Sequence, residues 1–419
     1  MPGHARTGGR DVIFAWEQCK LSDISEKSYE KNTDNKYSTV LTNSAEYGIV
    51  KQRDFFDKDI ANSSNISGYY VVRKNYFVYN PRISNQAKFG PINRNKLDES
   101  GIMSPLYLVF TVHDIDESFL ETLFQTTTWH RFMYQNGDTG ARADRFAIKD
   151  STFMSMPIKV PSLEEQHKLA LAFQKLDQTI TLHEEKKRQL ERLKSALMQK
   201  MFADKSGYPA VRFNGFCDEW KKQKLGDIVE TITDYVAAGS FASLRENVIY
   251  RSEPCYAQLI RTADLKSNFS KIAPVYVDKQ AFDFLYRVSL DKESVILPNI
   301  GNCGEVYYVD PHELPYMRNV LGPNAILIRS SSLNNHFLSI LFQSHNFQKS
   351  LKLIISPNGQ TKFNKTELKR IKMVLPMDVN EQNSLSAFFK MINTAISLQE
   401  HKSNILKELK SSLLQNMFI

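Results

Sequence analysis

Stepping by alternating four and three residues from Leu169, the chain meets apolar side chains at Leu169, Phe173, Leu176, Ile180, Leu190, Leu197 and Met201, and polar ones at His183, Lys187 and Lys194. The same steps from Leu385 give Leu385, Phe389, Ile392, Ile396, Leu406, Leu413 and Met417, with Gln399, Ser403 and Lys410 in the three polar places. Seven apolar positions in ten at this spacing are a heptad seam. The pattern predicts two long helices that pair as an antiparallel coiled coil, with the mid-helix polar layer fixing register. The plainer alternative is two independent amphipathic helices, each packed on its own domain. About 34 helical residues span about 50 Å, more than the roughly 34 Å of one B-DNA turn.

The two stripes are copies. Glu165 to Phe202 laid on Glu381 to Phe418 matches at 16 of 38 positions, among them Glu165-Gln166 with Glu381-Gln382 and Met201-Phe202 with Met417-Phe418. A second match sets Trp16-x3-Lys20-Leu21-x-Asp23-Ile24 against Trp220-x3-Lys224-Leu225-x-Asp227-Ile228. The chain is therefore two half-molecules in tandem, each opening on a tryptophan box and closing on a long helix, an arrangement that suits a two-sided target.

Between box and helix lie two stretches that resemble each other weakly. In the first, Tyr69 to Arg73, Tyr76 to Tyr79 and Ser104 to Val112 read as strands and Ser118 to Tyr134 as a helix. In the second, Ser294 to Leu297, Glu305 to Val309 and Ala325 to Ile328 read as strands and Asn335 to Lys352 as a helix. The expected fold class is α/β (α+β): two pseudo-two-fold-related heads separated by two long helices. The expected boundaries are a leader over 1–10, a first head over 11–155, a central helical region over 156–210, a second head over 211–370 and a closing helical region over 371–419.

Composition changes this picture little. Across 419 residues the formal charge is +8, which leans towards a polyanionic partner. Four scattered cysteines without metal spacing fit a reducing cytoplasm, and no apolar run approaches the roughly 20 residues of a membrane span. The polar loops carry groups suited to phosphates and base edges. In the first head these are Asn80, Arg82, Ser84, Asn85, Lys88, Asn93, Arg94, Lys96 and, in a later Gly-rich turn, Arg142. In the second they are Asn299, Asn302, Arg318, Asn358, Gln360 and Lys362. For any single one of these, an ordinary Asn/Gly turn is the simpler reading. No G-x4-G-K-[ST] loop, no G-x-G-x-x-G after a strand and no paired histidines are present, so no catalytic or metal-ligating residue is expected.

These passages resemble the specificity (S) subunit of type I restriction–modification systems. The resemblance rests on Ala15-Trp-Glu-Gln-Cys-Lys-Leu-Ser-Asp-Ile24, on Val211-Arg-Phe-Asn-Gly-Phe216 running into Trp220, and on Val160-Pro161 followed by Glu165-Gln166. Leu190-x-x-Leu-Lys-Ser-x-Leu-x-Gln-x-Met-Phe202 with its C-terminal copy, and Phe77-Val-Tyr-Asn-Pro-Arg82 through Gly90-Pro-Ile-Asn-Arg-Asn-Lys96, extend it. It covers residues 11 to 419. It implies a non-catalytic, cytoplasmic subunit whose two target-recognition domains read a split site in double-stranded DNA. It also implies docking of two methyltransferase (M) subunits, with restriction (R) subunits in the full complex. S-adenosylmethionine, ATP and magnesium are then expected on those partners and none on this chain. The first half departs in one respect: Val12-Ile-Phe-Ala precedes Trp16, where the second half has Arg212-Phe-Asn-Gly-Phe216. A free-standing DNA binder and a coiled-coil adaptor without DNA dependence are the alternative readings.

Overall fold

The computed structural model describes residues 16–55, 66–139, 144–204, 206–270, 272–356 and 361–418. The chain divides into two compact units, unit 1 being Met1–Glu184 with His401–Ile419 and unit 2 being Glu185–Glu400. Helix α1 (Leu163–Lys200) and helix α2 (Val379–Met417) each give one part of their length to each unit.

Unit 1 is built on a four-stranded antiparallel sheet in the order Ser25–Lys27, Leu108–Val112, Phe77–Tyr79, Ile92–Arg94. Its core gathers Phe77, Phe110, Phe119 and Phe153, all buried. Unit 2 repeats the order with Thr231–Asp234, Ala325–Arg329, Ser294–Pro298 and Tyr307–Val309, again antiparallel. Two heads of weakly similar sequence thus share one sheet topology, because inward apolar positions of a strand accept many side chains provided the alternation holds. Unit 2 adds a mixed three-stranded sheet of Val275–Val277, Ala257–Ile260 and Asn319–Leu321 over its own apolar cluster.

The expected head helices form but break. Residues 118–134 divide into Glu117–Phe124 and His130–Asn136. The intervening Thr126 folds its hydroxyl back onto the Leu123 carbonyl (2.7 Å), a side-chain bond that competes with the helical ladder. Residues 335–352 divide at Ser344 into Asn335–Gln343 and His345–Ile354. Ser344 is extended and caps the second piece by accepting from Phe347 N–H. The expected strand from Ser104 starts only at Leu108, after a turn closed by Tyr107 N–H on the Ser104 carbonyl.

A clamp joins each tryptophan box to the start of a long helix, and it recurs nearly atom for atom. Trp16 donates from Nε1 to Glu165 Oε1 (3.2 Å), and Trp220 does the same to Glu381 (3.2 Å). Gln166 donates to the Pro161 carbonyl and accepts from Asp116 N–H; Gln382 donates to the Pro376 carbonyl and accepts from Asn334 N–H. Glu17–Lys20 pairs antiparallel with Pro157–Val160, as Lys221–Lys224 does with Lys372–Leu375. Gln166 and Gln382 are buried, so their fully bonded amides hold the first turn of each helix against its head without an unsatisfied polar group.

Within each unit the two helices run antiparallel. In unit 1, Asp177 meets Lys410 and Glu184 meets Lys407 (both 2.6 Å), while Phe173 packs on Phe418. In unit 2, Lys187 meets Glu400 (3.1 Å) and Phe389 packs on Phe202. Leu169, Phe173, Ile180, Met201, Leu385, Phe389 and Ile392 are buried, and Leu176, Leu190, Leu197, Ile396, Leu406 and Leu413 are half-buried. Met417 is the exception. It is 40 % exposed and Phe418 takes the inward place, stacking on Phe119 and edging Trp16. The larger ring fills the aromatic pocket of unit 1, so the seam ends one residue later than its period predicts. Among the described residues, no helix is long and apolar enough to cross a membrane, and the four cysteines form no disulfide.

Candidate nucleic-acid interface

In both units, the loop after the third strand of the sheet order, Phe77–Tyr79 in unit 1 and Ser294–Pro298 in unit 2, pairs with the loop before the closing segment. In unit 1, Ile83 N–H donates to the Asp144 carbonyl (2.9 Å) and Phe146 N–H to the Pro81 carbonyl (2.8 Å), which sets Arg82 directly opposite Arg145 in an antiparallel bridge. In unit 2, Gly301 N–H donates to the Thr361 carbonyl (2.9 Å), Thr361 Oγ1 donates back to the Gly301 carbonyl (2.6 Å), and Ile300 bridges Lys362. Two loops separated by about sixty residues in sequence thus form one surface in each head. Gly90 anchors the first of them. Its φ is +82°, and a Cβ there would stand 2.0 Å from the Asn80 carbonyl oxygen, so only glycine fits.

Side chains opposite one another in an antiparallel pair leave by the same face. Arg82 and Arg145 are both exposed, and among the described residues neither has a carboxylate partner. Like charges directly opposed are unfavourable unless an anion lies between them. Lys88 stands on the same loop; its charge, after burial, helps hold the His130 imidazole below the usual histidine range. Ser84 closes a turn by accepting from Ala87 N–H, which leaves Asn85 exposed at the tip. Arg82, Ser84, Asn85 and Lys88 therefore lie together on an accessible surface, joined by Arg145, which sequence reading missed. Its only signal was an arginine close to a Gly-rich turn.

Other expected residues do different work. Asn80 is buried, donating to the Asn43 carbonyl (2.9 Å) and accepting from Arg82 N–H (3.0 Å), so it shapes the loop from within. Asn93 donates to Asn43 Oδ1 (2.7 Å) and to the Ser44 carbonyl (3.1 Å). Arg94, its side chain 10 % exposed, is bound to Glu121 (2.9 Å) and Ser118 (3.0 Å) on the helix beneath the sheet. Lys96 reaches the same Glu121 (2.6 Å). Asn80, Asn93 and Arg94 are corrected from nucleic-acid contacts to structural residues, because a group already bonded inside the fold has little left to offer a ligand without breaking it; Lys96 stays exposed, its ammonium on a surface ion pair.

In unit 2, Asn302, Thr361 and Lys362 are exposed on the paired loops. Asn299 is turned inward, donating to the Phe363 carbonyl (3.4 Å) with its Oδ1 buried and unbonded, and is likewise corrected to a structural position. Arg318 is exposed but belongs to the edge of the three-stranded sheet, with its guanidinium over the Tyr256 ring at 4.6 Å. Arg142, Asn358 and Gln360 lie outside the described residues. Among the described residues, no cluster of three or more His, Cys, Asp or Glu is arranged to hold a metal.

The sequence model of the type I restriction modification DNA specificity domain matches this chain twice, over residues 15–192 and 217–408. Among solved structures, the chain is similar to the type I restriction-modification system S subunit from M. genitalium, at 13 % identity over 98 % of each chain with a TM-score of 0.58. It is also similar to a chain from a structure of complex assembly and conformational transition in the type I R-M system, at 13 % identity over 97 % of this chain and 98 % of that one, with a TM-score of 0.52. At that identity the likenesses show the fold, and the two family matches, one per half-molecule, show the lineage. The chain belongs to the family of the type I restriction modification DNA specificity domain.

Proposed function

We propose that this chain is the DNA-recognition subunit of a type I restriction–modification complex, with each unit reading one part of a bipartite double-stranded target. The observation that carries the reading is the recurrence, in two heads of divergent sequence, of one paired-loop surface after the same sheet strand. That surface is rich in exposed cations in unit 1 (Arg82, Arg145, Lys88) and carries Asn302 and Lys362 in unit 2. Cations of this kind sit on phosphates, while Asn and Arg side chains read base edges. Divergent side chains on a common frame give each head its own specificity. The paired helices act as the spacer between the two half-sites and, with the tryptophan clamps, form the framework that docks methyltransferase (M) subunits. Restriction (R) subunits join the full complex. In this reading the chain is non-catalytic, with S-adenosylmethionine on the M subunits and ATP and magnesium on the R subunits.

The test is to map methylated adenines across the genome of cells given this chain with its cognate methyltransferase subunit. The expected result is a new motif of two short blocks with a fixed gap. No new methylation, despite a demonstrated complex, would overturn the reading and favour a free-standing DNA binder.

A further inference from the structure

An ion-paired strut stands at the same place in both heads with its charges reversed. In unit 1, Lys27 ends the first strand of the sheet order and pairs with Asp150, which opens the short helix Asp150–Met154. In unit 2, Asp234 ends the corresponding strand and pairs at 2.7 Å with Lys365, which opens the helix Lys365–Lys369. Each helix follows the second of the paired loops, residues 144–146 in unit 1 and 361–363 in unit 2. The strut therefore holds the chain that leaves the first strand on the flank of those loops. Since the bond recurs with its charges exchanged, it is the link rather than either charge that the two heads share.

The flank is aromatic. In unit 1, Tyr29 is 69 % exposed, with the Lys27 ammonium 4.8 Å from its ring centroid. In unit 2, Asp234 also accepts from Ala237 N–H (3.1 Å), and the Ala237 carbonyl accepts from Arg287 Nη1 (3.3 Å). The Arg287 guanidinium lies 5.6 Å from the ring centroid of Tyr286, itself 61 % exposed. Phe241, 81 % exposed, opens the helix Phe241–Asn247. Gly239 just before it backs onto Phe284, where a Cβ would stand 3.1 Å from Cζ, so the turn into Phe241 and the segment 284–287 are neighbours. Exposed apolar side chains scattered singly are ordinary. Exposed rings at one structural place in two heads of divergent sequence, with a cation over one ring in each, make a surface.

We propose that this aromatic flank, Tyr29 in unit 1 and Phe241 with Tyr286 in unit 2, is a second part of the DNA contact and packs in a groove of the duplex held by the paired loops. Continuity with the exposed cations of those loops, Arg82 and Arg145 in unit 1 and Lys362 in unit 2, selects duplex DNA as the occupant. The cations sit on phosphates, while a ring makes apolar contact with thymine methyls or wedges against a base step. The inference rests on the DNA-recognition reading.

A fluorescent duplex carrying the motif mapped for this chain is titrated, at a series of salt concentrations, with the full chain in complex with its methyltransferase subunit. Tyr29→Ala and Phe241→Ala are each expected to weaken binding about tenfold, with the log–log salt slope unchanged because a ring releases no counterions. Tyr29→Phe and Phe241→Tyr, which keep a ring, should bind like the parent. Both side chains are exposed enough that urea midpoints should not move. Alanine variants that bind like the parent overturn the proposal. So does a loss that comes with a slope change of about one unit, which assigns the effect to a displaced cation. A parent complex that binds the motif no better than a duplex with its blocks scrambled overturns the DNA-recognition reading, and this proposal with it.

Discussion

Arg82 and Arg94 lie twelve residues apart and do opposite things. Arg82 is exposed opposite Arg145, while Arg94 is locked beneath the sheet on Glu121. Charge reversal at Arg82 or Arg145 is therefore expected to weaken DNA binding and to lower the log–log salt slope by about one unit for each phosphate left without its cation. Replacement of Cys19, whose thiol points at the Ile158 carbonyl within its own strand pair, should leave binding unchanged. Arg94→Ala should instead cost about 1–2 kcal/mol of stability, because it leaves the half-buried Glu121 carboxylate with the exposed Lys96 alone and Ser118 without its donor. Salt titrations and urea midpoints on the same variants separate the two roles, and an Arg94 variant of full stability but weak binding would reverse the assignment. His336 makes a pH prediction. Burial first, then the charges of Lys390 and Lys194, hold its imidazole at about 4, against a free value near 6.5. Between those values the unfolded chain takes up a proton that the folded chain refuses, so stability falls as pH drops through that window. His336→Gln should flatten the fall between about pH 6.5 and about pH 4; an unchanged slope assigns it to other groups.

At the scale of elements, the heptad stripe was the most legible feature because its long, regular period leaves tertiary context to shift it only at its end, where Phe418 replaces Met417. Its polar layer was visible as polarity, but the partners were not. Lys410 meets Asp177 in unit 1, whereas the repeat puts Asn393 in the place of Asp177 in unit 2, and the partly buried Lys194 makes do with Gln343 (3.3 Å). Burial accordingly pushes the Lys194 ammonium below its usual range. Asn393→Asp should restore the ion pair and raise stability by about 0.5–1 kcal/mol in urea unfolding; a neutral or lower midpoint would mean the two faces are not equivalent there. The head helices were legible in place but not in continuity. Their breaks sit at single hydroxyls, Thr126 and Ser344, whose bonds to the Leu123 carbonyl and from the Phe347 N–H compete with the helical ladder, a competition that the apolar period does not show.

At the scale of the whole molecule, the spacer reading makes its own prediction. Four residues inserted in α2 after Lys402 rotate the following stripe by roughly 40° and lengthen the helix by about 6 Å, so the methylation motif should keep its two blocks and change its gap. An unchanged gap would remove the helices from that role. The sequence by itself determined the duplication, the two helices and the tryptophan boxes, since each is written in local period or in repeated residues. Only the tertiary structure decided which loop residues face outward. Asn80, Asn93, Arg94 and Asn299 have the same chemistry as Arg82 and Asn302, and their fates diverge through partners such as Asn43, Glu121 and Phe363 that lie some thirty to sixty positions away. Arg145 likewise became a partner of Arg82 only when two remote loops were brought together in one antiparallel bridge. Composition states what a side chain is able to bond, but the distance to its partner is a property of the folded chain alone.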